Sequence, residues 1–432
     1  MFTKLRSPWL IWGLGAGFFF AEYFARVAPS VMAPHLMATF HVDALALGSF
    51  SALFYYSYVS MQIPVGVLVD RYGPHRLLTF MALICTVGTL MFSFAHDFHI
   101  AELGRLLTGF GAAFAFVGSL KLASVWFPPT QFGLLAGITQ ALGMLGAAVG
   151  QAPMALAVTA IGWRNTLFVV AVIFLLLAIA IGFFVRDTPT YQQQSKGTKT
   201  VGPNLWTSLS TVLANPQSWI NAAYAGLVYA PTAAFAELWG VSFLQRAYGF
   251  TLSQAAMAVG GIFIGWGIGG PLMGWLSDKI QRRRPIMMAS ALLGSIFITA
   301  AIYAPHLTVS QAFILLLAYG ISNTGVAISY ALSCEINPRS VAGTSMAFAN
   351  MASVLIGAGF QPLIGLLLVL HWDKAMVQSI PIYSAANFRT ALMLLPLCSL
   401  LGVIFAWWVQ ETYCRTLEDG TESADSVTVL AH

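Results

Sequence analysis

Twelve apolar segments decide what this chain can become. They lie at 9–32, 44–69, 77–95, 100–126, 132–158, 164–185, 217–245, 253–276, 285–304, 309–335, 340–370 and 387–409. Each has the roughly 20-residue length that a helix needs to cross a hydrocarbon core about 30 Å thick. Only 8% of the 432 residues are charged and 58% are hydrophobic, whereas a soluble globule carries about 25% charge, so the chain is expected to span a lipid bilayer. The first segment follows Lys4 and Arg6 as a signal peptide would, but it is too long and carries Glu22 and Arg26, and it reads as a retained helix. Short loops rich in Lys and Arg mark the cytoplasmic side. With the N-terminus inside, thirteen Lys/Arg fall inside and four, Arg164, Arg246, Lys374 and Arg389, fall at the outer edge. That asymmetry predicts two cytoplasmic termini and accounts for the net charge of +5 without a nucleic-acid partner. Cys85 and Cys398 lie within spans and Cys334 and Cys414 near the inner face. None is placed for an external disulfide, and no pair has metal-ligand spacing.

The chain repeats itself. The loop after the second segment presents Gly66, Leu68, Asp70, Arg71, Gly73 and Arg76, and a copy 208 positions later presents Gly274, Leu276, Asp278, Lys279 and the run Arg282, Arg283, Arg284, with Gln281 where Gly73 predicts glycine. Pro128, Gly133, Gln140 and Gln151 recur 210 positions later as Pro338, Gly343, Asn350 and Gln361. Residues 187–216 interrupt the apolar pattern with Asp187, Pro189, three glutamines, Lys196 and Lys199. They read as a cytoplasmic linker, with room for a short surface helix, between halves 1–186 and 217–410, and 411–432 reads as a cytoplasmic tail.

The first loop resembles the G-x-L-x-D-R-x-G-x-x-R signature between helices 2 and 3 of major facilitator superfamily transporters. The fourth span opens on Gly104, Arg105, Gly109 and Gly111, similar to that superfamily's R-x-x-x-G-x-G-A-A run. The resemblance implies an all-α membrane protein of two six-helix, pseudo-symmetric halves, alternating access about a midplane site, and a bacterial inner-membrane location. In the fifth span Gly137, Gly146 and Gly150 partly fit the exporters' antiporter motif, but Gln151 stands where its proline would be, which weakens an export reading. The texture from Tyr23 to Gln62 resembles the proteobacterial intraphagosomal amino acid transporter branch and, less closely, the anion:cation symporter branch.

Charges inside a membrane cost at least about 3 kcal/mol each, so each needs a partner or a purpose. Glu22 and Arg26 stand four apart, on one face of the first helix. Two readings stand: a self-neutralising ion pair, or a cavity-facing Arg26 that receives a substrate carboxylate while Glu22 competes for it or carries a proton. The second is preferred. Pro29 is expected to bend the helix just beyond them. Tyr55, Tyr58 and Gln62 form a polar stripe on the second helix. Gln140 and Gln151 stand eleven apart, as do Asn350 and Gln361, so each pair is expected to share a helix face. Helix–helix glue and substrate contact both fit these amides. Asn323 and Tyr330, seven apart in the tenth span, are expected on one cavity face. Arg105 has Glu102 as a local partner, and Lys121 either snorkels to the cytoplasmic face or meets an acid across the cavity. In the seventh span Pro231 suggests a hinge, and Glu237 is either an alternate proton carrier or a hydrated acid near a helix end. Glu335 is expected in the cytoplasmic charge network.

By the superfamily resemblance, Gly66, Asp70, Arg71, Gly73, Arg76, Asp278 and Arg282 form the gating set. Gly66 is expected to pack the second helix on the eleventh, bringing Asp70 to the start of that helix when the cytoplasmic side closes. Asp278 is expected to do the same at the start of the fifth. No catalytic constellation, phosphate loop, metal site or cofactor is legible. The expected function is secondary transport of a small polar organic solute, an amino acid first, by proton-coupled import and as a monomer. The alternatives are uptake of an organic anion or siderophore-like solute, drug efflux, or a non-transporting membrane sensor of the same fold.

Overall fold

The computed structural model describes residues 7–187, 205–377 and 380–416. The rest of the linker, at 188–204, and the tail from 417 lie outside the described residues. In the first half, α1 (Pro8–Phe40), α2 (Ala44–Tyr72), α3 (Pro74–Phe94) and α4 (Phe98–Trp126) are joined by short turns. Asp43 and Asp97 begin α2 and α4 by accepting bonds from the backbone N–H groups of Ala46 and His99, which would otherwise lack intrahelical partners. The fifth span is α5 (Pro129–Val149) and, past a break at Gly150 and Gln151, the opening of α6 (Ala152–Phe184). Gly162, at φ 80°, divides α6 and turns the chain into the sixth span, in a backbone conformation that side chains with a Cβ avoid.

A short helix, α7 (Leu205–Ala214), lies inside the expected linker. The seventh span runs through α8 (Pro216–Pro231), a π-helical segment (Thr232–Trp239) and α9 (Gly240–Tyr248). Then follow α10 (Leu252–Ile280), α11 (Arg284–Tyr303), and a tenth span made of α12 (Val309–Ser322) and α13 (Gly325–Glu335). A 3₁₀ turn (Arg339–Val341) leads into α14 (Ala342–Leu370), a two-strand hairpin (β1 Met376–Val377, β2 Ile380–Pro381) follows, and α15 (Ala385–Leu392) with α16 (Leu394–Trp408) ends the bundle. The twelve expected spans are thus all present among the described residues. The first is longer than expected, because its helix continues through Pro34 to Phe40.

The face that carries the α2–α3 turn is called here the loop face, and the opposite one the far face. At the far face the halves interlock. A methyl group added at Gly48 of α2 would lie 2.6 Å from the Gln361 carbonyl of α14, and one at Gly365 of α14 would lie 2.3 Å from the Ala44 carbonyl of α2. At the loop face the halves part. Methyl groups at Gly66 (α2), Gly343 (α14), Gly133 (α5) and Gly274 (α10) would meet no atom within 4 Å. These four are repeat-related positions, so the opening follows the chain's internal symmetry.

Candidate functional site

The site is built on the interrupted middles of two helices. Pro29 has no N–H, so the Ala25 carbonyl one turn earlier in α1 loses its helical partner. Arg105 of α4 takes that place. Its guanidinium donates to the Ala25 carbonyl at 2.9 Å and to the Arg26 carbonyl at 2.7 Å, with the Phe54 ring 4.6 Å from its centre. The expected Glu102 partner is therefore corrected: Glu102 accepts from His99 at 2.8 Å instead. Arg26 and Glu22 form a wholly buried pair, with the Arg26 Nε also donating to Glu22 at 3.0 Å. The rings of Tyr23 and Tyr58 lie 4.2 and 4.8 Å from the Arg26 guanidinium. This is the ion-pair geometry, with no free face of Arg26 turned to solvent in this state.

Glu237 closes the cluster from the second half. It is buried to 1% exposure, which corrects its reading as a hydrated acid near a helix end. Tyr55 of α2 donates to one of its oxygens at 2.5 Å and Tyr229 of α8 to the other at 2.9 Å. Tyr229 was not legible as a site residue, although it stands eight positions before Glu237 in the same span. Toward the loop face, Asn350 of α14 donates to Gln62 of α2 at 3.0 Å and accepts from Tyr330 at 3.1 Å. The Tyr55, Tyr58 and Gln62 stripe thus lies along the seam between the halves.

Two expected pairings fail because helices break. Asn323 falls in the gap between α12 and α13, fully buried, and donates to the Val228 carbonyl at 2.9 Å and to Thr232 at 3.0 Å. It braces the seventh span, while Tyr330 meets α14, so the two do not share a cavity face. Gln140 is exposed on α5, whereas Gln151, after the break, is fully buried. Gln151 donates to the Ala236 carbonyl and Gln361 to the Ala233 carbonyl, both at 2.9 Å. The two repeat-related amides therefore hold the same π-helical segment from opposite halves.

At the loop face Asp70 pairs with Lys121 of α4 at 2.7 Å. Lys121 thus finds an acid, but within its own half. Gly73, at φ 79°, opens α3, and a methyl group there would lie 2.5 Å from the carboxylate of Asp187, which accepts from the His75 N–H at 2.8 Å. Arg71 lies over the Tyr72 ring and Arg76 is exposed. In the second half, Asp278 pairs with Arg283 at 2.6 Å, and Arg283 pairs with Glu335 at 2.6 Å. The arginine in that network is Arg283; the expected Arg282 lies over Tyr413 instead. Neither Asp70 nor Asp278 reaches a helix start of the opposite half in this state, in which the loop face is open. Gln281 takes the left-handed conformation, at φ 56°, so the second loop turns differently from Gly73 and tolerates a side chain.

The family model for the Major Facilitator Superfamily matches residues 14–358 and 238–424. Among curated proteins, the chain is similar to the probable sulfoacetate transporter SauU of Cupriavidus necator, 26% identical over 83% of this chain and 85% of that one. It is also similar to the membrane sensor protein UhpC of Escherichia coli, 24% identical over 87% of this chain and 88% of that one. Among solved structures, a bacterial homolog to the human lysosomal transporter Spinster, inward-facing and unoccupied, aligns with a TM-score of 0.81 at 17% identity. That alignment covers 93% of this chain and 96% of the other.

Proposed function

The chain belongs to the Major Facilitator Superfamily, and from that premise we propose that it is a secondary transporter carrying a small organic anion across a bacterial cytoplasmic membrane by alternating access, with protons as the coupling ion. The observation that carries the reading is the buried pair of Arg26 and Glu22 beside the tyrosine-held Glu237. A carboxylate or sulfonate needs a cation, and protonation of Glu22 frees the Arg26 guanidinium, which binds such groups with a planar fork of donors. Proton and anion then enter as a unit, and loss of the proton restores the ion pair and expels the anion. An amino acid fits less well. Its ammonium group needs a free carboxylate, whereas Glu22 must be neutral and Glu237 is occupied by Tyr55 and Tyr229. The similarity to a probable sulfoacetate transporter supports the same choice. The excess of basic residues on the loop face makes that face cytoplasmic, so the open state faces inward.

A sensor without transport is the second reading, favoured by the similarity to UhpC. Counterflow in proteoliposomes separates the two. Vesicles loaded with unlabelled sulfoacetate, a hexuronate or another small organic anion are expected to draw in the labelled compound, faster with an inward proton gradient. Arg26→Ala is expected to abolish binding, and Arg26→Lys to restore little of it. No counterflow of any organic anion, or normal affinity in Arg26→Ala, would overturn the proposal.

A further inference from the structure

We propose that Gln151 is a positioning residue of the transport cycle, a latch whose side-chain amide keeps the far face shut by gripping the π-helical segment of the seventh span. The break at Gly150 and Gln151 leaves Gln151 with non-helical backbone angles, φ −98° and ψ −94°, which aims its side chain out of the helical row and across to the other half. Its Nε2 donates to the Ala236 carbonyl at 2.9 Å, and its oxygen lies 3.2 Å from the Ser30 hydroxyl of α1, whose one proton is shared with the nearer Val27 carbonyl at 2.8 Å.

Ala236 precedes Glu237. The bond from Gln151 and the one from Tyr55 therefore act on adjacent residues of one segment, and both run from the first half to the second. In a π helix the N–H groups bond five residues back, as Gly240 does to Phe235, a rare turn that occurs mostly inside α-helices and often at functional sites. Gln361 braces the same segment at Ala233, but α14 belongs to the second half. When the far face opens, the Gln361 bond travels with the segment, whereas the Gln151 bond has to break. The repeat thus supplies two like amides with unlike duties, one a brace and one a latch.

The inference rests on the alternating-access part of the proposed function and not on the substrate, so its test uses none. Ser51 of α2 is fully buried, one turn from Gly48, where the far face is closed on α14. With Cys85, Cys334, Cys398 and Cys414 replaced and Ser51→Cys introduced, the rate of labelling by a thiol reagent reports the fraction of molecules open at the far face. Removing one net hydrogen bond is expected to raise that rate about 2- to 13-fold in Gln151→Leu. Ser30→Ala, which removes only the shared hydroxyl contact, is expected to give a smaller rise in the same direction, and Gln361→Leu a rise smaller than that of Gln151→Leu. An unchanged rate in Gln151→Leu, with a lower melting temperature alone, would make the residue mere packing and overturn the proposal. An equal rise in Gln361→Leu would overturn the division of duties. Should Gln151→Leu fail to fold, an unchanged rate in Gln151→Met, which keeps the side chain's length and removes the donor to the Ala236 carbonyl, is the overturning result.

Discussion

The link between Pro29 and Arg105 makes a prediction that depends on no assumption about substrate. Pro29 leaves the Ala25 carbonyl without its helical N–H, and the carbonyl sits in the buried core with Arg105 as its donor, 2.9 Å away. Arg105→Met keeps most of the unbranched stem and removes the donors. It should strand that carbonyl at a cost of about 1–3 kcal/mol. Pro29→Ala restores a backbone N–H at position 29, which can bond the Ala25 carbonyl from within α1. In that background the Arg105→Met change should therefore cost less, by about the same 1–3 kcal/mol. The Arg26 carbonyl, the guanidinium's second acceptor at 2.7 Å, keeps its own helical partner in all four proteins and drops out of the difference. The assay is a double-mutant cycle by reversible unfolding in mixed micelles. If the two changes add to within about 0.5 kcal/mol, the sites are independent, and the account of Arg105 as the partner of a proline-freed carbonyl is wrong.

Two further predictions concern the loop face. Gly73→Ala should destabilise by at least about 1–2 kcal/mol, because φ 79° is strained for a residue with a Cβ and the new methyl meets the Asp187 carboxylate. Gln281→Gly, at φ 56° in the repeat-related turn, should instead be neutral or stabilising by up to about 1 kcal/mol; thermal melting of the two variants compares the signs. Arg283→Lys should cost about 2 kcal/mol, since one ammonium cannot serve both Glu335 and Asp278, and most of the loss should come from the buried Glu335 side, because the Asp278 side chain is 65% exposed. Arg282→Lys, at a residue outside that pairing, should change the same unfolding measurement by less than about 0.5 kcal/mol.

What the sequence made legible was whatever rests on local spacing. Twenty-residue apolar runs and a twice-used acidic–basic loop suffice for twelve helices in two halves. Glu22 and Arg26 could be paired because four residues is one helical turn. Contacts made across the fold had no such signal. Tyr55 and Glu237 are 182 residues apart, and only the tertiary arrangement brings them together, in which the second helix and the π-helical segment both pack on α1 and α14. Arg105 was assigned to Glu102 because that acid was near in sequence, although Pro29 carried the better clue: a proline inside a membrane helix leaves a carbonyl that lipid cannot satisfy, and a lone buried arginine is a natural donor for it. Seven residues put Asn323 and Tyr330 on one face only along an unbroken helix, and the gap at Asn323 and Thr324 invalidates that count. Gln140 and Gln151 fail to share a face for the same reason, since the helix breaks at Gly150 and Gln151. Most of the errors within the spans therefore fall where the backbone leaves α-helical geometry: at Pro29, at Gly150 and Gln151, at the π-helical segment after Pro231, and between α12 and α13. Those interruptions are also where polar side chains replace lost helical bonds, so the positions least legible from periodicity are the ones that bring Arg26, Gln151 and Glu237 into one cluster.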